Sequence, residues 1–145
     1  DHQGGGGLVD DDRQAEHLAA VKAALRAEGA DLVLNARVDV FVRRLGTPEE
    51  QLAEGLRRAR LYREAGADCI YPILLSDEEM IAEIARAVGV VNVNIRRGGP
   101  LSVQRAAALG VRRVTYATST FRETMAFVEG VAGELRSVAV AAGGR

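Results

Sequence analysis

Asn35, Arg37 and Asp39 lie two residues apart in the stretch LVLNARVDVF, at the end of an apolar run. A buried strand has little use for an arginine and an aspartate so close together. If the strand persists that far, alternation puts all three on one side. Reacting groups in parallel α/β folds sit at the C-terminal ends of strands. A guanidinium at Arg37 can grip a substrate carboxylate or phosphate with two parallel N–H donors. The competing arrangement is an Arg37–Asp39 pair that braces the loop, and spacing alone does not separate the two.

Other strand ends carry fewer groups. Asn92 and Asn94 share one face of a later apolar run, which continues into Arg96-Arg97-Gly98-Gly99. Asparagines in such a run usually satisfy backbone groups or cap a loop. Glycine-rich backbone beside arginines can hold an anion, but RRGGP lacks the P-loop spacing. Tyr71-Pro72 ends another run, and Thr115, Thr118 and Ser119 follow the last. His2 and His17 form no metal pattern, and His17 reads as a solvent-facing helix residue. Cys69 lies inside a strand with no neighbouring histidine, so it reads as a structural thiol. Asp10, Asp11 and Asp12 look like three ligands, but at a helix start they cap and compensate the dipole.

The elements that must position these groups alternate from Asp31 onward. Apolar runs are expected as strands near 31–36, 68–72, 90–94 and 112–116. Thr47-Pro48-Glu49-Glu50 opens a helix with a capping box and a proline at its first position. Leu52, Leu56, Ala59 and Tyr62 follow at helical spacing, and Gly66 ends that helix. Ser76-Asp77-Glu78-Glu79 reads as a second capping box before the stripe Met80, Ile81, Ile84, Ala85 and Val88, closed by Gly89. A short helix spans about Leu101 to Leu109, stopped by Gly110. The last helix is expected over about 118–138, with Phe121, Met125, Val128, Val131 and Leu135 on one apolar face. AAGGR at the end reads as a frayed tail. Residues 1–30 form a glycine-rich loop and one helix, about Asp11 to Glu28, buried through Leu18, Val21 and Leu25. Residues 31–145 form four βα units.

This order implies parallel strands with right-handed crossovers. A complete (β/α)8 barrel takes roughly 250 residues, so four strands in 145 residues fit half of one. A small open α/β sheet is the competing fold. No G-x-G-x-x-G follows any strand, so a dinucleotide fold has no support.

Bulk composition narrows the function classes. The chain is 48% hydrophobic and 27% charged, with a net charge of −1, as expected of a folded soluble domain. There is no basic excess to point to nucleic acid or to an anionic membrane surface. No apolar run is long enough to span a bilayer. The acidic, glycine-rich start does not resemble a signal peptide. The single cysteine suits a reducing cytoplasm.

Four segments together resemble the isocitrate lyase / phosphoenolpyruvate mutase family: NARVDVF, RARLYREAGADCIYP, VNVNIRRGGP and LGVRRVTYATSTFR. Each is short, but their order and spacing are specific, and the likeness runs from about residue 8 to 136. The resemblance implies an α/β fold in which these βα units are strands five to eight, the second half of a (β/α)8 barrel whose last helix is exchanged between subunits. It aligns Asp1 with the second residue of a Glu-Asp pair at the end of strand four. It implies chemistry on small 2-oxo or 2-hydroxy carboxylic acids, in which a C–C or C–P bond breaks through an enolate or oxyanion. Mg²⁺ supports that chemistry, with ligands in the N-terminal half. Arg37 matches the substrate-binding, catalytic arginine, and Asn92 or Asn94 matches a substrate-contacting position. Val38 stands in place of a threonine, Ile73 in place of a glutamate, and Arg96-Arg97 in place of Thr-Glu. These departures point away from methylisocitrate cleavage and leave phosphonomutase-like and oxaloacetate-cleaving chemistry open.

The expectation is therefore the C-terminal half of a Mg²⁺-dependent lyase or mutase, cytoplasmic and homo-oligomeric, inactive as the isolated 145 residues. Two other readings stand beside it: a non-catalytic half-barrel that self-associates, and an α/β domain that binds a phosphorylated ligand at Arg96 to Gly99.

Overall fold

The computed structural model describes residue 1, residues 7–44 and residues 46–143. His2 and most of the glycine-rich segment lie outside the described residues, as does the end of the tail.

The first helix, α1 (Asp11–Ala27), is capped by the Asp10 carboxylate, which accepts from the Arg13 N–H at 3.0 Å. Strand β1 (Asn35–Val38) follows, then a single turn, α2 (Val40–Arg43), and the long helix α3 (Pro48–Glu64). The capping box forms as the sequence predicts: Glu50 N–H donates to Thr47 Oγ1 at 3.3 Å, and Thr47 N–H donates to the Glu50 carboxylate at 2.8 Å. Strand β2 (Cys69–Pro72), α4 (Glu78–Val88), β3 (Asn92–Asn94), α5 (Val103–Ala108), β4 (Arg113–Thr115) and α6 (Ser119–Gly143) complete the order. Gly89 and Gly110 end their helices at φ 81° and 90°, where a Cβ is disfavoured.

All strand pairs are parallel. β1 pairs with β2 from Asn35↔Cys69 to Val38↔Pro72, and β3 pairs with β4 from Asn92↔Arg113 to Asn94↔Thr115. A bridge between Ile70 and Val91 joins the two pairs. The spatial order is therefore β1-β2-β3-β4, the order of the chain. A doubly wound sheet instead reverses its order at a switch point. Four strands in sequence with the main helices on one face form an arc of a barrel.

The register divides the sheet into two faces. Ala36, Val38, Ile70, Val91 and Val93 are buried against the helices, in one core with Tyr62, Ile81 and Ile84. The opposite face carries Asn35, Arg37, Cys69, Tyr71, Asn92 and Asn94. A half-barrel read from the sequence alone leaves an apolar inner face, expected to lie exposed where no partner covers it. That face is expected to include Leu32 or Val33, Ile70, Val93 and Val114; the register corrects this for the last three. Ile70 and Val93 are fully buried under helices, and Val114 is half-buried. With a period of two, an error of one residue exchanges the faces completely.

The first strand also starts later than expected. Leu32 and Val33 precede β1 and are 60% and 66% exposed. Pairing begins only where β2 can reach: the Leu34 carbonyl accepts from Asp68 N–H at 2.9 Å and Cys69 N–H at 3.2 Å. The Asp68 carboxylate in turn accepts from Leu34 N–H at 2.8 Å and from Lys22 at 2.5 Å. The other three strands are shorter than their apolar runs. The cap of α4 is Asp77, accepting from Met80 N–H at 2.9 Å. The predicted box at Ser76 does not form: the cap lies one residue later, at Asp77, which places Met80 rather than Glu79 where an acidic side chain would reciprocate. The last helix runs to Gly143, beyond the expected 138.

Candidate functional site at the strand ends

Arg37 is the third residue of β1 and points away from the helices. Its Nε and Nη2 donate to the two oxygens of Asp39 at 2.6 and 2.5 Å. β1 ends at Val38, so Asp39 is no longer on the strand. Its side chain folds back and is only 1% exposed, whereas the Arg37 side chain is 41% exposed. The hydrogen bond to Asp39 raises the Arg37 pKa above its ordinary value. The bracing pair that the spacing allowed is thus present. It holds a charged guanidinium in fixed orientation at the C-terminal end of β1.

Behind the pair stands a buried polar chain that sequence reasoning missed. Asp39 N–H donates to Asp1 Oδ1 at 2.7 Å. Asp1 Oδ2 accepts from the Tyr62 hydroxyl at 2.6 Å and from Arg58 at 3.0 Å. Arg58 also donates to Glu54 at 2.6 Å and to the Val9 carbonyl at 2.9 Å. Burial works against the Arg58 charge, but the hydrogen bonds to Glu54 and Tyr62 outweigh it and raise its pKa. Tyr62 reads in sequence as one more apolar residue of a helical stripe. Only the arginine four residues earlier hints that its hydroxyl has a partner.

Asn92 and Asn94 share the face of Arg37. The side-chain oxygens of Asn35, Asn92 and Asn94 are buried and have no hydrogen-bond partner among the described residues. Asn92 is 1% exposed. An unpaired buried carbonyl is costly, so three of them on one face mark it as a surface built to meet donors. Tyr71 pairs in register with Arg37, and burial raises its hydroxyl pKa. Its place opposite Arg37 was not legible without the register.

Asn94 and Arg96 line two adjoining clefts, one of about 470 Å³ between the ends of β3 and β4 and one of about 360 Å³ between the ends of β2 and β3. His17 is exposed and Cys69 is buried, its thiol pushed up by burial. Among the described residues no cluster of three or more histidine, cysteine, aspartate or glutamate side chains could hold a metal ion. Asp39 and Asp1 are already engaged by Arg37 and by Arg58 with Tyr62. The described residues therefore do not form a Mg²⁺ site.

A parallel sheet in chain order, helices on one face and polar groups at the carboxyl ends of the strands define a fragment of a barrel enzyme fold. The sequence matches the phosphoenolpyruvate phosphomutase family over residues 1–136, and the chain belongs to that family. Solved structures agree. A Burkholderia cenocepacia J2315 protein provisionally named a phosphonomutase superimposes with a TM-score of 0.79 at 29% identity, over 90% of this chain and 54% of that one. A second protein of that organism, provisionally named a lyase/mutase, gives 0.75 at 34% identity, over 89% and 46%. Oxaloacetate acetylhydrolase with its product oxalate gives 0.75 at 27% identity, over 90% and 45%. The chain spans about half the length of these proteins. No curated protein matches it by sequence.

Proposed function

We propose that these 145 residues are strands five to eight of a (β/α)8 barrel, the C-terminal half of a lyase or mutase acting on small 2-oxo or 2-hydroxy acids. The Arg37–Asp39 fork at the end of β1 carries this reading. Asp39 orients the guanidinium toward the inner face, where it binds the substrate carboxylate and holds charge that grows as the C–C or C–P bond breaks. The carboxamides of Asn92 and Asn94 line the same face. An oxygen acceptor there fits the hydroxyl of a 2-hydroxy acid.

Mg²⁺, which the family implies, would be held by carboxylates outside these residues, so the chain alone is expected to bind it weakly and to turn over nothing. The coding sequence immediately upstream of Asp1 is expected to supply a strand with D-x-D and a glutamate. The direct test is calorimetric titration of the 145-residue chain with oxalate, beside Arg37→Gln. Binding that Arg37→Gln abolishes supports the reading; equal binding by both sinks it.

Self-association is a second element of the proposal, favoured by one observation: the apolar face of α6 is exposed along its length. Exchange of this helix between copies in a homo-oligomer would cover it. Among the described residues no helix is long and apolar enough to cross a membrane.

A further inference from the structure

The larger cleft carries chemistry that Arg37 does not explain. We propose that it binds the phosphate group of a substrate, at the end remote from the carboxylate assigned to Arg37; that remoteness rests on the Arg37 assignment, the phosphate site does not. Three arginines line it, Arg96, Arg97 and Arg122, against one acid, Glu123. Its lining is thus doubly positive in a chain whose net charge is −1. Arg97 is partnered by Glu123 at 3.0 Å. The guanidinium groups of Arg96 and Arg122 have no hydrogen-bond or ion-pair partner among the described residues.

The position of Arg122 sharpens the point. It lies in the first turn of α6, where the helix dipole already places positive charge. α1, α3 and α4 each open with two acids, and α6 opens with none. A cation in that first turn, facing two others across a cleft, is self-repelling until an anion arrives. Asn94 lines the same cleft, and its buried side-chain oxygen has no hydrogen-bond partner among the described residues. It can accept from a protonated phosphate oxygen or a neighbouring hydroxyl.

The charge selects the ligand. A phosphate monoester carries about −1.5 to −2 and three acceptor oxygens, which complements two guanidinium forks. A single carboxylate would satisfy one fork and leave most of the 470 Å³ to water. Arg37 does not line this cleft, and β2 separates its strand from β3, about 10 Å at ordinary strand spacing. The phosphate is then a handle, away from the bond that breaks.

The test is titration of the 145-residue chain with inorganic phosphate at constant ionic strength in chloride, read by calorimetry and by thermal unfolding. Saturable binding is expected on the order of 1 mM. Arg96→Gln and Arg122→Gln should each weaken it about tenfold, while Arg37→Gln leaves it unchanged. Both cleft arginines are exposed, and circular dichroism verifies the fold; should a glutamine variant unfold, the lysine variant replaces it, with a smaller loss expected. Phosphate protecting no better than chloride, malonate binding the Arg37→Gln chain as tightly as phosphate does, or undiminished phosphate binding by both Arg96→Gln and Arg122→Gln would each overturn the proposal. Oxalate binding tests Arg37 separately, so either assignment can fail alone.

Discussion

At the scale of single residues the central object is Arg37 with its brace. The pair is both structural and, as proposed, chemical, and substitution separates the two contributions. Lysine keeps the charge but loses the planar fork that engages both oxygens of Asp39. In the complete barrel, Arg37→Lys is expected to lower kcat/KM by about 100-fold, the usual scale for losing a donor that stabilises developing charge. Steady-state kinetics checks this. If Arg37 only braced the loop, the melting temperature would fall and turnover would not. The residue types here were legible from spacing: an arginine and an aspartate two apart at a strand end. The pairing was not, because it depends on β1 ending at Val38 so that Asp39 can fold back. The Asp1–Tyr62–Arg58 chain was not legible either, since it joins residues far apart in sequence through a buried hydroxyl.

At the scale of elements, helix ends were the most legible features, because caps are local. Thr47 with Glu50 formed as read, and Asp77 replaced Ser76 by a shift of one position. Asp77→Ala should cost about 1 kcal/mol, the ordinary value of an N-cap hydrogen bond, measured by denaturant unfolding. Strand limits were harder to read. Nothing in LVLNARV distinguishes Leu32 from Ala36, and only pairing with Cys69 to Pro72 decides where β1 starts. The Asp68 carboxylate fastens that start. The Lys22 ammonium, with help from Leu34 N–H, lowers its pKa. A carboxylate depressed in the folded state contributes stability above its unfolded pKa, about 3.9. That contribution is lost as pH falls through the folded value. Asp68→Asn should therefore reduce stability at neutral pH and flatten its decline below about pH 4. The effect should be small, because the side chain is partly exposed and solvent screens the pair. Equal slopes for both proteins in acid unfolding curves would show that Lys22 and Asp68 do not interact in solution.

At the scale of the whole molecule the two faces of the sheet have unequal needs. The helix side is closed by α1, α3 and α4 over a core of apolar side chains. The other side presents polar groups to be met, and α6 stands apart from both. Every described side chain of α6 from Thr120 onward is exposed, including Phe121, Met125, Val128, Val131 and Leu135 on one stripe. An isolated helix gains little stability from propensity alone and draws most of it from packing an apolar face. Gly130 and Gly133 lower that propensity further. So the helix needs a partner, and a second copy of the chain offers an identical stripe. Sedimentation velocity is expected to show dimers whose population rises with concentration, with helicity by circular dichroism rising in parallel. Val128→Glu with Leu135→Glu places two charges on the stripe and should yield monomers with less helix. They should leave the β1–β4 core intact, because neither residue touches it. A parent chain that stays monomeric at high concentration with α6 fully helical would show that this helix stands without a partner, and the association proposal would fall with it.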